Sequence, residues 1–149
     1  MKKRLAIIIP LAAVVAAVMV YLLAARPWLV TNDPNTYDIR ADAPVSIILD
    51  QTDKTQGVYR IVNSGSESAF CTNRFELQCQ KNGDWYKVKA GNSGESQVVL
   101  ELKPGGTEHF NSPWRSGEKS IPAGEYRLVT PIKTGSGGDY WIAAPFSVP

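Results

Sequence analysis

Residues 75–89 read FELQCQKNGDWYKVK, and this stretch decides the fold class of the chain. Its first five residues alternate apolar and polar side chains, as in a strand with one buried face. The dipeptide Asn82-Gly83 follows, and between two such segments it is a strong signal for a tight hairpin turn. We therefore predict a β-hairpin whose second strand is Trp85–Lys89.

The same rhythm continues on both sides of this hairpin. Short runs rich in Val, Ile, Tyr, Phe and Trp alternate with turn residues about every 8–12 residues, which is typical of an all-β sandwich or barrel. No stretch after Ala25 has the period of an amphipathic helix, and residues 112–121 have no clear period. The other predicted strands are Val45–Asp50, Gly57–Asn63, Phe75–Cys79, Ser96–Leu102, Thr107–Asn111, Glu125–Pro131 and Tyr140–Val148.

The order of these motifs resembles a family of bacterial immunoglobulin-like domains found in exported and surface proteins. The motifs that carry the resemblance are Asn63-Ser64-Gly65, Phe75-Glu76-Leu77, Asn82–Val88, Leu102–Gly105, Pro122–Val129 and Ala144-Pro145-Phe146. The resemblance spans residues 44–149. It implies an immunoglobulin-like antiparallel β-sandwich of about seven or eight strands, without catalytic residues. Cys71 and Cys79 are not part of the family pattern.

A domain of this length can bury one adequate core without extra cross-links. The alternation of apolar residues in the predicted strands indicates which side chains face inward. The predicted core consists of Ile47, Leu49, Tyr59 or the residues that alternate with it, Phe75, Leu77, Trp85, Val99, Phe110, Tyr126, Leu128 and Phe146.

The N-terminal segment predicts the compartment. Residues 5–25 read LAIIIPLAAVVAAVMVYLLAA, an uncharged run that as a helix would be about 30 Å long and could cross a bilayer. The basic cluster Lys2-Lys3-Arg4 precedes it, and this charge bias keeps the N-terminus cytoplasmic. The sequence therefore predicts a single-pass cell-membrane protein, with residues 1–4 in the cytoplasm, a transmembrane helix over residues 5–25 and an extracytoplasmic C-terminal domain.

A cleaved signal peptide is the alternative, because a charged start followed by apolar residues is also its signature. The apolar part of a signal peptide is usually about 7–15 residues long, which is shorter than this run. The length of the run therefore favours an uncleaved anchor. Residues 26–43 contain a polar stretch with Pro34 and several Asn and Asp residues, which is typical of a linker. Residues 44–149 form the domain.

Charge and composition exclude several classes of function. The formal net charge is +2, and outside the basic cluster 13 basic residues stand against 14 acidic ones. These charges are scattered, which argues against a nucleic-acid partner. The single histidine, His109, and two cysteines give no zinc-site spacing, and no Gly-x-Ser-x-Gly elbow occurs. We predict a protein without enzymatic activity, metal or cofactor.

Three aromatic residues are candidate ligand contacts. Trp114 lies in the segment without a period, and Tyr140 and Trp141 are neighbours on a predicted strand, where one of them must face outward. Such side chains would suit a carbohydrate-binding module of the cell envelope. The favoured hypothesis is a structural or interaction module that binds an unknown protein or envelope partner. The sequence does not identify this partner.

Cys71 and Cys79 are the only cysteines, in a domain predicted to lie where disulfides persist. Eight steps along an extended strand separate Cα atoms by roughly 26 Å, whereas a disulfide requires about 4.4–6.8 Å. A bridge would therefore need a chain reversal at Thr72-Asn73-Arg74. Without that reversal Cys79 is a buried apolar residue beside Leu77, and Cys71 is a thiol in a loop. The sequence leaves both possibilities open.

Overall fold

Within the residues that it describes, the computed structural model shows nine strands in two antiparallel sheets that pack as a sandwich. The residues that it describes are 14, 30–31, 33–73, 75–89, 98–114 and 120–149. The strands are β1 (Val45–Thr52), β2 (Gln56–Asn63), β3 (Ala69–Thr72), β4 (Glu76–Lys81), β5 (Asp84–Lys87), β6 (Val99–Leu102), β7 (Thr107–Pro113), β8 (Gly124–Thr134) and β9 (Asp139–Val148).

The small sheet contains three strands in the order β1-β2-β7, and the large sheet contains the other six. β8 is the centre of the large sheet and pairs with β9 along one side, from Gly124 to Lys133. Along its other side β8 pairs with β4 and then with β3. β5 lies beside β4, and β6 lies beside β3. β3 and β4 therefore run in the same direction, one after the other, along β8.

The predicted hairpin is confirmed. Asn82 and Gly83 have φ angles of 52° and 91°, so both occupy the left-handed region. A two-residue turn with positive φ at both positions matches the right-handed twist of the flanking strands. β4 and β5 pair accordingly, with Gln80 opposite Trp85.

The core lies between the two sheets and consists mainly of the inward side chains that alternation predicts. Of the predicted core residues, five are buried and four others pack against the core as half-buried side chains. The buried ones are Ile47, Tyr59, Leu77, Tyr126 and Leu128, and the half-buried ones are Leu49, Phe75, Phe110 and Phe146.

Two predicted core positions are wrong. Val99 is 63% exposed because β6 turns Leu100 and Leu102 inward, so the predicted register of this strand is off by one residue. Trp85 is half-buried on the outward face of the large sheet, where the guanidinium of Arg127 lies 4.5 Å from its ring centre. The apolar character of both residues had suggested burial, but their strand positions face outward.

The number of strands exceeds the seven or eight predicted. The additional strand is β3, whose four residues follow the polar stretch that ends at Ser68. So short a segment shows no alternation that could separate it from a loop. The all-β antiparallel sandwich itself is as predicted.

The predicted transmembrane segment, residues 5–25, lies outside the described residues apart from Val14. In the part of the chain that the structure describes, no helix is both long enough and apolar enough to cross a membrane. The membrane span stays a prediction from the sequence.

The turn between β1 and β2 is held by the carboxylate of Asp53. Its Oδ1 accepts hydrogen bonds from the backbone amide and the hydroxyl of Thr55, at 2.6 and 2.8 Å, and from the amide of Gln56 at 2.9 Å. These bonds, with that of the Thr55 amide foremost, lower the pKa of the Asp53 carboxyl because they favour its charged form.

Because of these hydrogen bonds, we expect the stability of the fold to decrease at acidic pH. Because the pKa of Asp53 is lower in the folded than in the unfolded state, its stabilising contribution is complete above the ordinary value of 3.8 and is lost as the pH falls through the folded-state pKa. We expect the melting temperature of the wild type to exceed that of Asp53→Asn at neutral pH, and the gap to shrink on acidification. Thermal unfolding from roughly pH 7 to pH 2 measures this. A gap independent of pH would contradict the assignment.

Candidate functional site

The outward face of the large sheet is crossed by residues 30–31 and 33–40, a segment that we call the strap. The strap belongs to the region predicted as a linker, residues 26–43, but it contacts the domain directly. It begins along the free edge of β5, where Val30 pairs with Val88. The amide of Thr31 donates to the carbonyl of Lys87 at 3.0 Å. The composition of this region is that of a linker, whereas its contacts are those of an additional layer.

The strap ends at the opposite edge of the same sheet. Ile39 pairs with Trp141 of β9, and the amide of Arg40 donates to the carbonyl of Trp141 at 2.9 Å. Between the two edges the side chains of Asn35 and Tyr37 are half-buried, while those of their immediate neighbours along the chain are exposed. This period of two indicates an extended chain that turns every second side chain toward the sheet.

Glu76 is the centre of the contact between strap and sheet. Its side chain is only 9% exposed, and its two carboxylate oxygens accept hydrogen bonds from four side chains. Two of the donors belong to the sheet, since Gln78 Nε2 donates to Oε1 at 2.7 Å and Lys87 Nζ lies 2.8 Å from Oε2. The other two belong to the strap, since Asn35 Nδ2 donates to Oε1 and the Tyr37 hydroxyl donates to Oε2 at 3.0 Å. A buried carboxylate needs such partners to offset its desolvation.

Further residues of the sheet hold this carboxylate site in place. Gln78 is fully buried, and its Oε1 accepts a hydrogen bond from Arg127 Nε at 2.6 Å. The guanidinium of Arg127 in turn lies over the ring of Trp85, in the geometry of a cation–π contact. The position of Glu76 is therefore fixed by side chains of β4, β5 and β8, and only two of its four partners come from the strap.

Tyr37 also covers Trp141, one of the predicted ligand contacts. The two rings are stacked, with centroids 3.9 Å apart and planes inclined by 3°. Trp141 faces outward and its neighbour Tyr140 faces the core, so the predicted alternation of the two is confirmed. The outward ring of Trp141 is thus already engaged by an aromatic side chain of the same protein.

Tyr140 lines a shallow pocket of about 190 Å³ together with Asn63 and Thr134. The side chains of both of these residues are already hydrogen-bonded within the fold. Asn63 Nδ2 donates to the carbonyl of Leu102 at 2.9 Å, and the Thr134 hydroxyl donates to the carbonyl of Gly138 at 3.2 Å. These two side chains therefore stabilise the neighbouring turns.

The hypothesis that Trp114 contacts a ligand is wrong. Its side chain is 1% exposed, and its ring stacks on Phe146 with the centroids 5.0 Å apart. Its Nε1 donates to the carbonyl of Asp53 at 2.7 Å, which satisfies the polar atom inside the core. The sequence around Trp114 shows no alternation because the buried ring lies immediately beyond the end of β7, where Pro113 is the last strand residue.

The disulfide is not formed either, because Cys71 and Cys79 are both buried free thiols. Phe70, adjacent to Cys71, pairs with Lys133, whereas Cys79 pairs with Tyr126. These partners lie far apart along β8, which places the two cysteines roughly 20 Å apart at about 3.3 Å per residue. β3 and β4 also run in the same direction along β8, so these strands do not bring the two cysteines together. Cys79 is buried beside Leu77 as the alternative predicted, but Cys71 lies in β3 and not in a loop.

The buried thiols predict low reactivity. Burial raises the pKa of Cys71 to about 11 and also raises the pKa of Cys79, so little of the reactive thiolate forms near neutral pH. We expect a maleimide reagent to leave both thiols unmodified in the native protein and to modify both in guanidinium chloride. Mass spectrometry counts the adducts. Modification of either thiol under native conditions, at the rate seen in the denatured protein, would contradict this burial.

Within the described ranges, no group of three or more His, Cys, Asp or Glu side chains is placed to hold a metal ion. His109 is exposed on β7, in accordance with the sequence-based interpretation of a surface histidine. The best-organised polar cluster that we find is the one around Glu76, and its chemistry is that of hydrogen-bonded recognition.

A protein-family model covers almost the whole domain. Residues 43–147 match the family model described as Bacterial Ig-like domain. A structural-genomics target, SoR45, is 17% identical with a TM-score of 0.42, and the match covers 72% of this chain and 88% of that chain. A protein described as ApaA from Bordetella pertussis is 23% identical with a TM-score of 0.40, over 77% of this chain and 95% of that chain. A search of curated proteins found no match. Because the family model covers more than half of the sequence, this chain belongs to the bacterial Ig-like domain family.

Proposed function

We propose that this protein is a non-catalytic, membrane-anchored module that displays one Ig-like domain outside the cytoplasmic membrane, where the domain binds a protein or another component of the cell envelope. The family membership supports a surface module, and the apolar run with its basic N-terminal flank supports the anchor.

One observation carries the proposal further: the strap begins almost directly after the apolar run. The run ends at Ala25, and Val30 already pairs with Val88 of the domain. The chain between these two residues can span at most about 17 Å when fully extended. An anchor at residues 5–25 therefore holds the domain close to the bilayer, with residues 26–29 as the connection between the two.

The carbohydrate-binding alternative loses the observations that motivated it. Trp114 lies in the core, Tyr140 faces inward and Trp141 is stacked under Tyr37. A sugar would need an open aromatic face on which to stack. Binding to an envelope protein through hydrogen-bonded recognition is therefore the favoured form of the interaction role.

Membrane fractionation tests the anchor. We expect the full-length chain to remain in the membrane pellet after alkaline carbonate washing and to be extracted only by detergent. The double variant Val14→Arg/Val18→Arg should appear in the soluble fraction, because each arginine at the centre of a span costs roughly 2.5–3.5 kcal/mol of insertion free energy.

The matched control makes the same chemical change in the domain. Val98→Arg/Val99→Arg alters two exposed valines beside and within β6 and should leave the partition unchanged. A soluble wild-type product that lacks residues 1–25 would show a cleaved signal peptide and would overturn the anchor.

A further inference from the structure

The strap occupies a site that the sheet forms largely without it. Two of the four partners of the Glu76 carboxylate, Gln78 Nε2 and Lys87 Nζ, belong to the sheet and not to the strap. The backbone carbonyls of Trp85 and Lys87 on the free edge of β5 accept hydrogen bonds from the strap amides of Asn35 and Thr31. Such an edge, with an acceptor side chain beside it, is the arrangement in which sheet proteins take up an added extended chain.

The strap itself is only partly buried against the sheet. None of its described residues is buried, and its backbone hydrogen bonds to the sheet come from three amides, those of Thr31, Asn35 and Arg40. By contrast, Val129 of β8, which pairs with Glu76, is fully buried although the alternation along β8 turns it away from the core. A segment with few buried contacts opens at a lower free energy than the core that it covers.

We propose that the outward face of the large sheet is a binding site for an extended peptide of a partner protein, and that the strap occupies this site as a built-in competitor. The peptide carries a side-chain amide two residues before a phenol, since these groups take the places of Asn35 and Tyr37 at Glu76. Its aromatic ring covers Trp141 as the ring of Tyr37 does. This inference rests on the proposed interaction role and deepens it, because it names the surface and the chemistry of the partner.

Displacement of the strap also changes the reach of the domain. With the strap in place, only residues 26–29 separate the predicted span from the domain. With the strap released, residues 26–43 form a tether of up to about 60 Å. A partner that binds the sheet thus frees the domain to move away from the bilayer.

The strap competes strongly with a free peptide because it is part of the same chain as the site. A segment tethered beside its site has an effective concentration in the millimolar range. A free peptide with the same contacts therefore binds poorly to the wild type. It binds well once the strap has lost the side chains that fill the site.

The test uses a synthetic fluorescent peptide with the sequence of residues 30–41, VTNDPNTYDIRA, and the full-length protein in detergent. Fluorescence anisotropy measures binding to the wild type and to Asn35→Ala/Tyr37→Ala. We expect binding to the double variant to be at least about tenfold tighter, because the competitor is removed. The matched control is Thr36→Ala/Asp38→Ala, which changes the exposed side chains of the strap and should bind as weakly as the wild type.

Two further changes test the recognition itself. Adding Glu76→Gln to the double variant, or replacing the Asn and Tyr of the peptide by Ala, should each weaken binding by about tenfold, the loss expected when charged hydrogen bonds are removed. Equal binding of the native and alanine peptides, or no binding to the double variant, would overturn the proposal. Neither result bears on the anchor, which fractionation tests separately.

Hydrogen exchange on the wild type keeps the proposal falsifiable if the double variant does not fold. The amides of Thr31, Asn35 and Arg40 should exchange at least about tenfold faster than the paired amides of β8, since the strap opens separately from the core. Equal protection of strap and core would show that the strap leaves only on global unfolding, and this result would overturn the proposal.

Discussion

Replacing Trp114 by alanine is expected to lower the free energy of unfolding by about 3–5 kcal/mol. The ring fills the end of the sandwich between Phe75, at 6.0 Å between centroids, and Phe146, at 5.0 Å. The variant loses this packing and leaves the carbonyl of Asp53 without the Nε1 donor. Guanidinium unfolding followed by circular dichroism measures the change.

The space beneath the ring provides a stringent control. A Cβ atom at Gly57 would lie 2.5 Å from Trp114 Cζ2 and 2.9 Å from Cζ3, so Gly57→Ala should destabilise the wild type. In the Trp114→Ala background the same change should cost much less, because the obstructing ring is gone. Additive effects of the two substitutions, or a loss below about 1 kcal/mol for Trp114→Ala, would contradict the packing.

Replacing Leu77 by alanine should cost about 2–5 kcal/mol of unfolding free energy. Leu77 is 3% exposed on the inward face of β4 and pairs with Leu128 of β8, which is itself fully buried. The lost methyl groups leave a cavity at the centre of the large sheet. The same unfolding experiment measures the effect.

The control for Leu77 lies on the same strand. Gln80 is exposed, and Gln80→Ala should change the unfolding free energy by less than about 0.5 kcal/mol. An unchanged stability of Leu77→Ala would mean that Leu77 faces solvent. The register of β4 against β8 would then be off by one residue.

Local chemistry explains which parts of the fold were predictable. The hairpin at Asn82-Gly83 follows from two residues that accept positive φ, and its strands follow from alternation. The inward positions of Leu77, Tyr126 and Leu128 follow from the same period of two. Each of these features depends on residues close together in the chain.

The features that were missed depend on residues distant in the chain. Trp114 is buried because Gly57 leaves space under its ring. The strap is ordered because Glu76 accepts hydrogen bonds from Asn35 and Tyr37. The ring of Tyr37 also stacks on that of Trp141. Nothing in the local pattern around any of these residues indicates its partner. The available signal was an amide and a phenol two residues apart in a polar segment. Composition alone could not distinguish this segment from a linker.

Labelling of single introduced cysteines in spheroplasts tests whether the Ig-like domain is displayed outside the cytoplasmic membrane. Lys103→Cys lies in an exposed turn, and the native thiols are buried. A membrane-impermeant maleimide should label Lys103→Cys in intact spheroplasts and Lys3→Cys only after permeabilisation. Labelling of Lys103→Cys only after permeabilisation would place the domain in the cytoplasm and would contradict its proposed display outside the membrane.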